Sequence, residues 1–186
     1  MFYTQLYDWN FLNNFDDEQY KVLAQTQLNV ENNDFEVNVS EIIEKFHIKM
    51  EEEPMDGTSG KTVKGVIKIN KNENPRRKRF SMAHELGHVI LQSPSKDETF
   101  YRFMDSKNYE TLEKKIDERE ANEFAADLLM PKKLVEYAIN YISKNNDNEL
   151  DDKELVNEIK DLMNVSYTSM GYRLKNLGFI GDFNVL

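Results

Sequence analysis

Apolar residues recur at helical spacing along most of the chain. Phe80, Ala83, Val89, Ile90 and Leu91 mark one face of a helix, with Asn74 and Pro75 suited to its cap and first turn. Ala121, Phe124, Ala125, Leu128 and Leu129 form the stripe of a second helix over 117–130, closed by Pro131. A third follows with Leu134, Val135, Ala138 and Ile142, then a polar Asn- and Asp-rich loop at 143–152. Leu155, Val156, Ile159, Leu162 and Met163 predict a fourth, and Ser166 and Gly178 bracket a last one within 165–180. Upstream, residues 17–27 read as a helix, and Asn38 with Glu41 suggests a capping box opening another through Phe46. Residues 48–52 and 62–69 read as strands joined by a loop around Gly57 and Gly60. In the second strand Val66, Lys68 and Asn70 alternate with Ile67 and Ile69, so one face is expected to be exposed. Residues 71–79 read as a solvated basic loop, and the aromatic residues 1–15 as an arm packed on the domain. The expected organisation is an N-terminal arm and helix over 1–37, a core over 38–143, and a C-terminal helical subdomain over 144–186 packed on that core.

Composition narrows the classes. The 186 residues carry a net charge of -10, against non-specific nucleic-acid binding but compatible with a partner of basic surface. There is no cysteine, which suits a reducing cytoplasm. The first residues lack a secretory pattern, and no apolar run approaches a membrane span, so a cytoplasmic location is expected. The helix pair at 153–180 has a helix-turn-helix cadence. Its second member carries only Arg173 and Lys175 as cations, so packing is favoured there over DNA binding.

The chemistry concentrates at His84-Glu-Leu-Gly-His88. On a helix, positions i and i+4 share a face, so His84 and His88 can hold one zinc ion while Glu85 serves as general base. Gly87 costs about 1 kcal/mol in a helix interior, which close backbone packing would explain. A third ligand is required, with a fourth position left open. The other histidine, His47, lies far upstream, so a carboxylate on the 117–130 helix is expected. Asp117 and Glu118 each lie about 50° from the centre of its apolar stripe, whereas Glu120, Glu123 and Asp127 point more than about 100° away. Periodicity leaves both Asp117 and Glu118 open, and acidic residues in a first helical turn are also favoured by the helix dipole alone. Tyr101, Arg102, Tyr172 and Arg173 are conceivable donors to a developing oxyanion. Tyr101 and Phe103 are further candidates for a cleft wall.

Arg79-Phe-Ser-Met-Ala-His-Glu-Leu-Gly-His88, followed by Glu118-Arg-Glu-Ala-Asn-Glu-Phe-Ala-Ala-Asp-Leu-Leu-Met-Pro131, resembles the ImmA/IrrE family of zinc metallopeptidases. The likeness runs in order over about residues 38–180 and is strongest over 76–131. It implies an α+β, mostly helical, zincin-like metallopeptidase core with a small antiparallel sheet beside the HExxH helix. In that family the third ligand is the glutamate three positions before an Ala-Asn pair, which here is Glu118, before Ala121 and Asn122. Carried over in the same way, His84 and His88 are metal ligands, Glu85 is the catalytic base, and Asn122 supports a ligand from behind. The resemblance further implies site-specific cleavage of a helix-turn-helix repressor or antitoxin, an anti-repressor activity often tied to mobile genetic elements. The rival reading keeps the zinc fold but sequesters such a regulator without cutting it.

Overall fold

The computed structural model describes residues 1–91, 100–103, 112–146 and 149–184. Lys64 and Gly65 both take positive φ, 50° and 75°, the backbone of a two-residue hairpin turn. That turn divides the apolar run at 62–69 into two strands, and Gly60 lies within the first of them rather than in a loop. The strands are β1 (Met50–Glu53), β2 (Thr58–Val63), β3 (Val66–Asn70) and β4 (Phe100–Phe103), in the order β1-β3-β2-β4. β2 is antiparallel to β3 and β4, while β1 joins β3 in parallel. The α+β class holds, but the sheet is mixed rather than wholly antiparallel. The chain reverses once after β1 and again at Lys64–Gly65, so β1 and β3 run the same way. β3 takes an inner place because Ile67 and Ile69 are both fully buried. The segment 62–69 thus has neighbours on both sides and offers no vacant edge to an extended peptide.

The helices are α1 (Tyr3–Leu6), α2 (Trp9–Leu12), α3 (Asp17–Gln25), α4 (Val39–Lys45), α5 (Pro75–Ile90), α6 (Leu112–Leu129), α7 (Lys132–Asn145), α8 (Asp152–Leu162) and α9 (Tyr167–Asn176). α5 packs on the sheet through β2 and β3 and on its other flank against α6. Residues 1–15 form two single turns, α1 and α2, and bring Tyr3, Tyr7, Phe11 and Phe15 into the core while Trp9 stays exposed. Tyr7, Phe11 and Phe15 stack in succession, and Phe11 and Phe15 both meet Phe124 of α6. The buried Tyr7 hydroxyl donates to the Leu128 carbonyl at 2.9 Å, so the arm is tied to α6 by a satisfied polar contact as well as by apolar area. One continuous apolar core runs from Tyr3 to Phe183.

The basic run at 71–79 is not a solvated loop. Its last five residues are the start of α5, and their cations are engaged. Arg77 pairs with Glu73, Lys78 with Glu52, and Arg76 with Asp161. Arg79 is the most enclosed of them. It donates to the carbonyls of Val37, Met163 and Asn164 and pairs with Glu36 at 3.1 Å. The carbonyls at the end of α8, left open by the helix terminus, are satisfied by this guanidinium. Asn164, in the left-handed region at φ 51°, makes the α8–α9 turn, so Arg79 fixes that turn to the base of α5.

α9 begins where Ser166 caps the Ser169 amide at 3.0 Å, and the chain turns away at Gly178, φ 77°. Its Gly171 is a socket: an added Cβ would lie 2.0 Å from the Phe183 ring. Gly171→Ala therefore has to expel Phe183. The loss of about 1.5–3 kcal/mol of ring burial outweighs about 1 kcal/mol gained in helix propensity. Urea unfolding should show a net loss of about 0.5–2 kcal/mol in the wild-type background. In the Phe183→Ala background the same change should be neutral or stabilising, because nothing is left to displace.

Candidate metal centre

Asn74 accepts the Arg77 amide at 3.0 Å and Pro75 occupies the first turn, so α5 starts where the sequence chemistry places it. Its buried face is wider than the expected stripe, because Met82 and Leu86 are buried as well as Ala83 and Ile90. His84, Glu85 and His88 lie within that face, at 0%, 0% and 4% exposure. Gly87 is accounted for by contact with α6. A Cβ there would stand 3.1 Å from the Phe124 ring and 3.3 Å from the Ala121 backbone. The two helices touch at Gly87 and Ala121, which brings the α6 residue one turn before Ala121 level with the histidines.

That residue is Glu118. Its Oε2 is 3.1 Å from His84 Nε2, its Oε1 is 3.4 Å from His88 Nε2, and the two Nε2 atoms are 3.1 Å apart. The three side chains form a buried group able to hold a metal ion. Three ligands at tetrahedral angles about an ion with bonds of about 2.0–2.1 Å stand about 3.3 Å from one another. The spacing here therefore fits a small divalent ion. Three basic lone pairs converging at this distance also repel one another unless a cation or protons lie between them. Asp117 is half-buried and outside the group. Nor does the dipole explain Glu118: α6 starts at Leu112, which puts Glu118 nearly two turns inside the helix, beyond the reach of its N-terminal dipole.

Burial alone would raise the Glu118 carboxyl. The hydrogen bonds and charge of His84 and His88 outweigh that and bring it to about 2. The group therefore offers a carboxylate at neutral pH. His84 Nδ1 donates to Asn122 Oδ1 at 3.1 Å, which selects the tautomer whose Nε2 lone pair faces the other two ligands. Asn122 is one turn beyond Glu118, so one face of α6 supplies both a ligand and the support of another. A cleft of about 560 Å³ opens beside Glu118 and Asn122, bordered by Lys115, Arg119, Ala126 and Asn176.

Glu85 points from the same helix to the sheet. Its Oε2 accepts the Thr62 hydroxyl at 2.8 Å, and Gly60 lies directly over its side chain. Neither residue belongs to a motif. They join the site through a contact spanning 23 residues of sequence, and alternation along β2, which puts positions 60 and 62 on one face, is the signal that pairs them. Arg173, considered as an oxyanion donor, is committed elsewhere: it donates to the Met130 carbonyl at 2.8 Å and pairs with Asp127 at 2.7 Å. Tyr172 is half-exposed with its ring against Phe183. His47 is exposed in a left-handed turn after α4 and takes no part in the metal group. The side chains of Tyr101, Arg102 and Phe103 lie outside the described residues.

Residues 41–175 match the Peptidase_M78 family, described as the IrrE N-terminal-like domain. The chain belongs to this family. The match takes in β1 to β4, α5 with its two histidines, α6 with Glu118, and the helices up to α9. Membership supports a metallopeptidase-type function and, with the buried His-His-Glu group, dependence on a metal ion. The fold of the IrrE-like domain is α+β and zincin-like, mostly helical with a small mixed sheet beside the HExxH helix. No curated protein matches the chain. Among the described residues no helix is long and apolar enough to cross a membrane.

Proposed function

We propose that this chain is a zinc-dependent endopeptidase of regulatory type, acting in the cytoplasm on a helix-turn-helix repressor or an antitoxin-like protein. The observation that carries the reading is the convergence of His84, His88 and Glu118 within 4.8 Å, one residue along α5 from a buried carboxylate that is not itself a ligand. When bound, zinc supplies a Lewis acid for the scissile carbonyl and acidifies water toward neutral pH. The chain supplies the rest. His84 and His88 present Nε2 from one helix face, with Asn122 holding the His84 ring. Glu118 contributes the negative charge. Glu85 takes a proton from the attacking water and returns it to the leaving amine. Burial of these groups keeps competing water away and strengthens their electrostatics.

The choice of a regulatory protein as substrate is supported by the family resemblance and by charge. A chain at -10 attracts partners with a basic surface, as DNA-binding regulators have. The helix-turn-helix cadence of α8 and α9 gives little support to DNA binding by the chain itself. Arg173 is paired with Asp127 and Lys175 with Asp182, so both cations of α9 are used internally.

Co-expression with repressors encoded beside the gene tests the reading. One discrete cut, mapped by mass spectrometry and lost in His84→Ala or on chelation, is the expected result. Relief of repression with the regulator intact would replace it with sequestration.

A further inference from the structure

We infer that Thr62 and Gly60 of β2 are positioning residues for the general base, so the sheet helps set the aim of Glu85 as well as supporting α5. This rests on the metallopeptidase reading above. A glutamate side chain has three rotatable bonds, and as a base it must meet a water at one place and a leaving amine at another. The backbone of α5 restricts χ1 but does not by itself select the rotamer. β2 does so in two ways. The Thr62 hydroxyl donates to Oε2 at 2.8 Å, a direct bond inside a buried site. At Gly60 the missing side chain makes room: a Cβ would stand 3.0 Å from Oε1, 3.1 Å from Cγ and 3.3 Å from the Ile69 Cδ1 methyl. A residue with a side chain at 60 would press on the carboxylate from above, and one without a hydroxyl at 62 would release it from the side. The pairing of β2 with β4 shifts register between Thr58 and Gly60, an irregularity at the place where the strand passes over the base. Thr62 reaches neither His84, His88 nor Glu118 by any hydrogen bond seen among the described residues, so its action on the metal group goes through Glu85.

The test uses the full chain loaded with cobalt(II), whose visible absorption reports the groups around its open position. Thr62→Val, Thr62→Ser, Gly60→Ala and Glu85→Gln are compared. All four should take up one cobalt per chain, because no ligand is altered. Glu85→Gln should change the absorption bands, Thr62→Val and Gly60→Ala should move them the same way, and Thr62→Ser should keep the wild-type spectrum. On a repressor cut by the wild type, Thr62→Val should lower kcat about ten- to a hundred-fold at nearly constant KM, with Thr62→Ser restoring most of it. A thermal melt checks the fold, and Thr62→Ala carries the same test should Thr62→Val not fold. A spectrum altered by Glu85→Gln but untouched by Thr62→Val overturns the inference alone. A chain that takes up no cobalt, or a spectrum indifferent to Glu85→Gln, overturns the metallopeptidase reading and the inference with it.

Discussion

Glu118→Ala should bind zinc more than about a hundred-fold more weakly than the wild type, while Asp117→Ala stays within a few-fold of it. The two residues are neighbours of equal chemical class, and the pattern of α6 alone admits both. Packing separates them. Contact of Gly87 with Ala121 places Glu118 at 3.1 and 3.4 Å from the two histidine Nε2 atoms, with 6% of it exposed, whereas Asp117 is half-buried outside the group. Glu118 is also held ionised, at about 2, by the hydrogen bonds and charge of the histidines, so at neutral pH the group offers a cation a carboxylate, and the proton a cation displaces is one carried by the histidines. Removing it deletes one of three ligands and the charge that offsets the ion, a loss of more than about 2.7 kcal/mol at the hundred-fold level. Competition against a chromophoric chelator, with both variants beside the wild type, measures this directly. Wild-type affinity in Glu118→Ala would remove that residue from the metal group.

The legible parts of the fold were those fixed by local chemistry. Asn74 and Pro75 announce α5, Pro131 ends α6, Ser166 and Gly178 bracket α9, and each mark is a backbone preference that acts within a turn. The hidden parts depend on distant contacts. Nothing in the aromatic run of residues 1–15 says that Phe11 and Phe15 meet Phe124, more than a hundred residues on. The hairpin at Lys64–Gly65 carries little local signal, because lysine is not among the residues that usually take its positive φ. The basic run looked solvated because its partners, Glu36, Glu52 and Asp161, are scattered along the chain. The site divides in the same way. His84 and His88 are one turn apart and helical geometry joins them. Glu118 needed either the family resemblance or the packing of α6. Thr62 and Gly60 needed the strand to be laid against the helix.

Glu85→Gln should lower peptide cleavage by about 10²–10⁴-fold and leave metal content and partner binding near wild type. The substitution keeps the size of the side chain and removes the carboxylate that accepts the proton. It leaves His84, His88 and Glu118 untouched, so the metal group should load as before. It should also keep the fold, because a glutamine carbonyl can still accept the Thr62 hydroxyl now donated to Oε2 at 2.8 Å. This makes it a sharper probe than a ligand variant, which loses metal and activity together and cannot separate binding from chemistry. The quantities to follow are the rate of cleavage, zinc per chain, and affinity for the same regulator. A base gives a fall in kcat with partner affinity unchanged. Relief of repression that survives intact in Glu85→Gln would mean the regulator is held rather than cut. Cleavage at the wild-type rate would place the proton acceptor elsewhere and leave Glu85 as no more than a buried carboxylate seated against β2.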